Sequence, residues 1–249
     1  KSVSKGHLGG ILLYEKNISK NNAEVKLREL IATYKNNSKI PLLVSIDEEG
    51  GVVNRLKPKY GFPRTVSAKY LGDLNNIDST KHYADIVAHN LYKMGINVNY
   101  APVLDVHNGD NPAIGKNKRS FSKNPQIVVK HARQLIKSHK YFGVKTVLKH
   151  FPGQGNANKD SHFDVTDVSN TWNEKELFPY IRLIYEGNVD AIMTAHIVNE
   201  NLDKDKLPAT LSKQIITNLL RERIGYEGVI FSDDMQMKAI TSRYGLLDA

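Results

Sequence analysis

Side chains that could carry out chemistry are concentrated in one stretch of the sequence, KHFPGQGNANKDSHFD (149–164). Five of them are of interest: Lys149, His150, Asp160, His162 and Asp164. The two glycines and one proline between them constrain the backbone, which suits a loop that holds side chains in place. The alternatives are a solvated polar loop and a Zn, Mn or Fe site built from His150, His162, Asp160 and Asp164. No HExxH-like spacing supports the metal site.

A second acidic pair occurs in FSDDM (231–235), directly after an apolar run. Successive side chains of a strand point to opposite sides, so we expect only one of Asp233 and Asp234 to face a site. The alternative for Asp234 is that it caps the following helix.

A third candidate is SIDEEGGVVNR (45–55), in which an apolar run leads into three acids and two glycines. Gly50 and Gly51 allow a sharp turn, which we expect to bring Arg55 back towards Asp47. An aspartate and an arginine at one site suit a ligand rich in hydroxyl groups. A surface salt bridge is the alternative.

The elements that must position these residues follow a repeating pattern. Six apolar runs alternate with helical patterns, which is typical of βα units in a parallel sheet. The runs are 9–14, 41–47, 96–106, 144–151, 189–196 and 228–234. Helices are predicted over 22–35 and 79–94, from Asn124 to Gly143, from a Thr171/Glu174 capping box to Gly187 with a kink at Pro179, and from Ser212 to Gly225.

This alternation predicts an α/β fold of the (β/α)8 TIM-type barrel class, as a single domain over residues 1–249. In such a barrel the strand ends meet at one mouth, where substrates bind. The polar residues expected there are Asp47, Asp105, Lys149, His150, His196 and Asp233. Eight strands are needed and six runs are visible. We therefore expect parts of the first and last βα units to be lacking, and an additional domain or chain to complete the barrel.

Composition excludes several classes of protein. The formal charge of +9 favours a polyanionic partner, but the basic residues are scattered and no nucleic-acid-binding motif occurs, so no nucleic acid partner is expected. The absence of cysteine excludes disulfides, thiol catalysis and Cys-ligated zinc. No apolar run approaches the ~18 residues of a membrane span, and no signal-peptide pattern occurs at the start.

Six motifs in order resemble the N-terminal barrel of glycoside hydrolase family 3, within it the bacterial β-N-acetylglucosaminidase branch. They are DEEGG (47–51), RSF (119–121), KHFPGQG (149–155), DSH (160–162), TAH (194–196) and SDDM (232–235). The resemblance extends from Gly9 to about Asp248. It implies a retaining exo-β-N-acetylglucosaminidase that acts on terminal β-linked N-acetylglucosamine of peptidoglycan-derived fragments or muropeptides.

The resemblance also implies roles for individual residues. Asp233 would be the nucleophile that forms a covalent glycosyl-enzyme, and His162 the general acid/base, with Asp160 orienting its imidazole. Positions that bind the sugar in the family are matched by Asp47, Arg55, Arg119, Lys149 and His150. No metal or organic cofactor is implied. Gln154 departs from the family's usual FPGHG, a change we expect to be tolerated because an amide also donates and accepts hydrogen bonds.

Two alternatives stay open at this point. A phosphorylase of the same fold would use phosphate in place of water, and a histidine base would avoid repelling the phosphate dianion. A catalytically silent glycan-binding protein of the envelope would keep the barrel without the activity. The basic charge and the lack of cysteine slightly favour the bacterial cell envelope or the extracellular space over the cytoplasm.

Overall fold

A computed structural model describes residues 2–107, 111–158, 166–245 and 249. The sheet that positions the site has six parallel strands, and each strand pairs with the next in this order: β1 (Gly10–Leu13), β2 (Leu43–Ile46), β3 (Val98–Asn99), β4 (Lys145–Phe151), β6 (Ala191–Thr194) and β8 (Val229–Ser232). Two short strands, β5 (Thr166–Asp167) and β7 (Ile197–Val198), pair with each other. All six predicted strands are confirmed.

Helices follow the strands, as the alternating pattern predicts. They are α1 (Ala23–Asn36), α2 (Ala68–Leu74), α3 (Ile77–Met94), α4 (Pro125–Tyr141), α5 (Phe178–Tyr185), a π-helix (Gln214–Arg223) and α6 (Lys238–Thr241). Short 3₁₀ helices lie at Glu15–Asn17, Pro58–Tyr60, Glu174–Glu176 and Ala209–Leu211. Parallel strands with flanking helices make this an α/β fold, a partial (β/α)8 barrel whose sheet has β1 at one end and β8 at the other.

Several helix boundaries agree with the capping residues expected from the sequence. The Asn124 side chain accepts a hydrogen bond from the backbone N–H of Gln126 at the start of α4. Gly95 and Gly143 both have positive φ, the conformation that ends a helix without strain in glycine. The Ser212 hydroxyl accepts from the N–H of Ile215, as expected of a cap before the π-helix.

The segment around Pro179 differs from the prediction. Neither the capping box at Thr171 nor the kink at Pro179 is present. The Asn173 side chain instead caps the 3₁₀ helix Glu174–Glu176, and α5 begins at Phe178. Pro179 therefore lies in the first turn of α5, where a missing N–H breaks no helical hydrogen bond.

The predicted strand 96–106 is also shorter than expected. Only Val98–Asn99 pairs regularly, and a single bridge joins Val103 to Lys149 farther along. Pro102 has no N–H to donate, which interrupts the ladder. The chain nevertheless stays beside β4, because the N–H of Leu104 donates to the carbonyl of Lys149 over 2.7 Å. Asp105 is thereby brought next to the end of β4.

Two apolar clusters hold the sheet and helices together. One packs α4, α5 and the π-helix against β4 and β6, with Leu148, Phe151, Tyr180 and Ile192 fully buried. The other packs α1 and α3 against β1 and β2 around Leu27. The strand ends are therefore fixed by a packed core on the helical side. None of the helices in the described ranges has the length and hydropathy needed to cross a membrane.

Candidate active site

The loop after β2 turns back on itself, as the two glycines predict. Gly50 and Gly51 both have positive φ, and a Cβ on Gly50 would lie 2.4 Å from the Val66 carbonyl oxygen. No other residue fits there without displacement. The turn brings the Arg55 guanidinium to within 3.5 Å of Oδ2 of Asp47, as expected.

Glu48 lies between Asp47 and Arg55 in sequence, and its buried side chain stabilises the turn. Its Oε2 accepts hydrogen bonds from the backbone N–H groups of Arg55 and Leu56, at 2.8 and 3.0 Å. The Asn99 side chain accepts from the N–H of Glu48 and donates to its carbonyl. Burial raises the pKa of Glu48 to about 7, although the two N–H donors oppose the shift.

Lys149 connects two acids of the DEEGG motif. Its side chain is only 2% exposed, and its Nζ lies 2.7 Å from both Oδ1 of Asp47 and Oε1 of Glu49. Burial alone would lower the pKa of Lys149, but the two carboxylates outweigh it and raise the pKa above its ordinary value. The ammonium is therefore charged and fixed in place.

Glu49 also binds Arg119, through a two-pronged contact. The Nε and NH2 of Arg119 donate to the two carboxylate oxygens over 2.8 and 2.7 Å. Burial would raise the pKa of Glu49, but the charges of Arg119 and Lys149 hold it well below its usual range. Sequence reasoning did not single out Glu49, because three consecutive acids carry no signal of which one turns inward.

His150, which follows Lys149, is held between Asp105 and Arg119. Its Nδ1 lies 2.7 Å from Oδ2 of Asp105, and its Nε2 lies 3.3 Å from NH2 of Arg119. A guanidinium can only donate, so Nε2 is the accepting nitrogen in this arrangement and Nδ1 carries the proton. Asp105 further accepts from the N–H of Gln154 over 2.9 Å, a contact independent of the Gln154 side chain.

Asp233 lies at the end of β8. Its N–H donates to the Thr194 carbonyl, and its Oδ1 accepts from the N–H of Asp234 over 2.8 Å. Burial opposes ionisation, but the nearby rings of His150 and His196, the Asp234 N–H and Lys149 lower the pKa of Asp233 below its ordinary value. The carboxylate is therefore charged at neutral pH.

One cavity of about 1100 Å³ joins these groups, a volume sufficient for a small ligand. Seven of the residues considered from the sequence line it: Asp47, Arg55, Arg119, Lys149, His150, Asp233 and Asp234. Both acids of SDDM therefore border the cavity, whereas we expected only one of them to do so. Tyr14 and Tyr100 line it as well, and no motif pointed to them. The structure thus brings the expected residues together, while their roles stay predictions.

Two residues expected at the mouth lie behind it instead. Asp105 and His196 are fully buried. His196 connects the end of β6 to the turn after β8, since its Nε2 lies 2.9 Å from the Asp234 carbonyl oxygen and its Nδ1 lies 2.9 Å from the Thr210 hydroxyl. Asp105 and His196 therefore do not line the cavity, but each contacts a residue that does.

The predicted acid/base residues lie outside the described residues. Asp160, His162 and Asp164 fall in the gap between 158 and 166, so their roles stay predictions. Of the four residues considered for a metal site, only His150 is described. Within the described ranges, no group of three or more His, Asp or Glu side chains is arranged to hold a metal ion.

Comparison with known proteins decides the family. The model of the glycosyl hydrolase family 3 N terminal domain matches residues 1–249. The chain belongs to this family. A glycoside hydrolase family 3 β-N-acetylglucosaminidase from Paenibacillus sp. str. FPU-7 superposes with a TM-score of 0.90 at 34% identity, over 98% of this chain and 46% of that one. The resemblance inferred from the six motifs is confirmed.

Two further relatives match most of this chain. Beta-hexosaminidase A of Pseudoalteromonas piscicida is 34% identical over 99% of this chain, which spans 44% of that protein. NagZ from Neisseria gonorrhoeae in complex with N-trifluoroacetyl-D-glucosamine is 33% identical with a TM-score of 0.84, over 92% of this chain and 67% of that one. The chain thus spans from under half to two thirds of the length of these relatives.

Proposed function

We propose that residues 1–249 carry the catalytic domain of a retaining exo-β-N-acetylglucosaminidase. The observation that carries the proposal is a single cavity lined by Asp233, whose carboxylate is ionised, together with His150, Lys149 and Arg119. A retaining glycosidase needs such a nucleophile beside donors that hold the sugar. The names of two relatives, a β-hexosaminidase and a β-N-acetylglucosaminidase, support the sugar specificity.

In the first step, an Asp233 oxygen attacks the anomeric carbon and forms a C1–O ester. The bond from C1 to the aglycone oxygen breaks, and His162 donates a proton to the departing oxygen. In the second step His162 accepts a proton from water, whose oxygen bonds to C1 and releases Asp233. Asp160 is the proposed orienter of the His162 ring, as a carboxylate is for other catalytic histidines.

The charges of the two side chains favour Asp233 as the nucleophile and His162 as the acid/base. The transition state resembles an oxocarbenium ion, and the negative charge of Asp233 stabilises it in a partly desolvated cavity. A histidine acid/base places no second negative charge beside the leaving group. Its unperturbed pKa of about 6.5 also suits proton transfer near neutral pH.

The sugar hydroxyl and acetamido groups are the proposed ligands of Asp47, Arg55, Arg119, Lys149 and His150. Lys149 has three N–H donors, and its contacts with Asp47 and Glu49 leave one for a hydroxyl group. The Nε of Arg55 is buried and, among the described residues, has no hydrogen-bond partner. An unpaired buried donor is costly, which favours a ligand that accepts from it.

The proposed substrate is terminal β-linked N-acetylglucosamine on a peptidoglycan-derived fragment. The N-trifluoroacetyl-D-glucosamine in the complex of the Neisseria gonorrhoeae relative supports an N-acylated glucosamine in the cavity. The cations Lys149 and Arg119 are already paired with carboxylates, and such a balanced set of charges suits a neutral sugar.

The test is nitrophenol release from 4-nitrophenyl β-N-acetylglucosaminide, compared with the β-glucoside, with and without phosphate. We expect turnover of the first donor only, at a rate independent of phosphate. Asp233→Asn should lower this turnover by several orders of magnitude. Asp234→Asn, which changes the adjacent carboxylate, should lower it far less. A rate that requires phosphate would support a phosphorylase, and a folded but inactive protein would support a glycan-binding role.

A further inference from the structure

Glu176 is a buried acid that the proposed chemistry does not use. It ends the 3₁₀ helix before α5, far from Asp233 in sequence, and has no exposure to solvent. Its Oε2 accepts a hydrogen bond from the backbone N–H of Val106 over 3.1 Å. Its Oε1 accepts two from Asn156, one from the backbone N–H at 3.2 Å and one from the side chain at 2.9 Å. One carboxyl group thus joins two chain segments.

The first of these segments supports His150. Val106 directly follows Asp105, whose carboxylate contacts the Nδ1 and backbone N–H of His150 and the N–H of Gln154. A displacement of Val106 would move Asp105 with it. Glu176 is therefore linked to the His150 ring through the backbone of Val106 and the side chain of Asp105.

The second segment is the loop after β4, residues 152–158. It packs closely against both partners: a Cβ on Gly153 would lie 2.4 Å from Cβ of Glu176, and one on Gly155 would lie 2.2 Å from the Val106 carbonyl oxygen. Trp172, four residues before Glu176, adds a hydrogen bond from Nε1 to the Pro152 carbonyl. The segment 172–176 thus fixes this loop at Pro152, Gly153 and Asn156.

The loop held by Glu176 leads directly into the predicted acid/base segment. Asn156 precedes Asp160 and His162 by four and six residues, and Glu176 lies on the chain after them. The return of the chain is fixed as well, because β5 pairs with β7 and the Val168 N–H donates to the Val198 carbonyl.

We infer that Glu176 is a positioning residue, which fixes the backbone at Val106 and Asn156 and thereby the placement of His150 and of the segment that continues to the acid/base. This rests on the proposed function. Misplacement of reacting groups by ~1 Å costs on the order of 100-fold in rate, so a remote anchor of this kind affects catalysis measurably.

Two substitutions of Glu176 remove its hydrogen bonds to different extents. Burial and the charge of Asp105 raise the pKa of Glu176 well above its ordinary value, against the N–H donors of Val106 and Asn156. Glu176→Gln, uncharged and of the same shape, keeps one accepting oxygen, whereas Glu176→Ala removes all three contacts. Glu174→Gln, on the exposed side of the same 3₁₀ helix, is the matched control.

The experiment compares kcat/KM for two β-N-acetylglucosaminides, one with 2,4-dinitrophenol and one with unsubstituted phenol as leaving group, and follows thermal unfolding of each variant. The dinitrophenolate leaves without protonation, so only the phenyl donor depends fully on a placed acid. We expect Glu176→Ala to lose about 100-fold on the phenyl donor and about 10-fold on the dinitrophenyl donor. Glu176→Gln should show the same asymmetry with smaller losses and near wild-type unfolding, and Glu174→Gln should match the wild type.

Equal losses on both donors would overturn the placement of the acid/base segment by Glu176, and wild-type rates in Glu176→Gln and Glu176→Ala would overturn the positioning role as a whole. If Glu176→Ala does not fold, the Glu176→Gln ratio alone decides. Failure of the proposed function looks different, because the wild type would then hydrolyse neither donor or Asp233→Asn would remain active. A wild type that depends on Asp233, with symmetric losses at Glu176, contradicts only the inference about Glu176.

Discussion

The Nδ1 atom of His150 lies 2.7 Å from Oδ2 of Asp105, a carboxylate with no solvent exposure. On its other side, Nε2 of His150 faces the Arg119 guanidinium. The two contacts specify one tautomer and one ring orientation, with Nδ1 protonated. The buried carboxylate of Asp105 thus fixes the orientation of a histidine that lines the cavity.

Asp105→Asn tests this relationship. The new amide can present its NH2 group to Nδ1, which would favour the opposite tautomer and place a proton on the nitrogen that faces Arg119. We expect kcat/KM on 4-nitrophenyl β-N-acetylglucosaminide to fall about 100-fold. Circular dichroism and thermal unfolding should show that the fold persists. Unchanged kcat/KM would mean that the orientation of His150 has no bearing on turnover.

Glu49→Gln addresses the buried charges of Arg119 and Lys149. Glu49 contacts both cations, so its neutralisation leaves Arg119 buried with an uncompensated charge. The loss of one partner of a buried pair costs about 3–5 kcal/mol in free energy of unfolding. Asp73→Asn is the control, because its exposed ion pair with Lys69 should contribute about 0–1 kcal/mol. Equal effects in urea titrations of the two variants would count against the buried network.

The Glu48 carboxyl group predicts a pH dependence of stability. Its pKa is about 7 in the folded protein against an ordinary value of 4.5. Between these values the folded chain binds more protons than the unfolded chain, so the free energy of unfolding falls as pH rises through this window. The cost approaches about 3 kcal/mol above pH 7. Glu48→Gln does not titrate and keeps an acceptor for Arg55 and Leu56.

We therefore expect the stability of Glu48→Gln relative to the wild type to increase from about pH 4.5 to about pH 7.5. Urea unfolding at several pH values measures this difference, and contributions from other groups cancel in the comparison. A difference that stays constant across the range would show that Glu48 does not titrate there.

The strands were predictable from the sequence because each is a short apolar run that ends in polar residues. The ends of β2, β4 and β8 then placed Asp47, Lys149 and Asp233 at one mouth. This step needs only the parallel order of the strands. The turn that returns Arg55 was predictable from a local signal as well, since two adjacent glycines permit the positive φ angles that a sharp turn needs.

The supporting residues were not predictable in the same way. Glu176 and Glu49 each bind a residue 70 positions away in sequence, Val106 and Arg119 respectively. No local pattern encodes which distant N–H group a buried carboxylate meets. The helix before Gly187 was misread because Pro179 fits a first turn as well as a kink. Tertiary packing decided between the two.

His162→Ala tests the proposed acid/base directly. An activated phenolate leaves without a proton, so the loss on the phenyl N-acetylglucosaminide should exceed the loss on the dinitrophenyl donor by about 100-fold or more. This ratio also sets an upper limit for the asymmetry expected at Glu176. The same loss on both donors would argue against an acid role for His162.

The proposed mechanism depends above all on a covalent bond between Asp233 and N-acetylglucosamine. The most direct measurement is mass spectrometry of the protein after incubation with a fluorinated N-acetylglucosaminyl donor that traps the glycosyl-enzyme, followed by peptide mapping. We expect one sugar adduct per chain, located on Asp233 and absent in Asp233→Asn. An adduct on another residue, or an active protein that is never labelled, would contradict the assignment of Asp233 as the nucleophile.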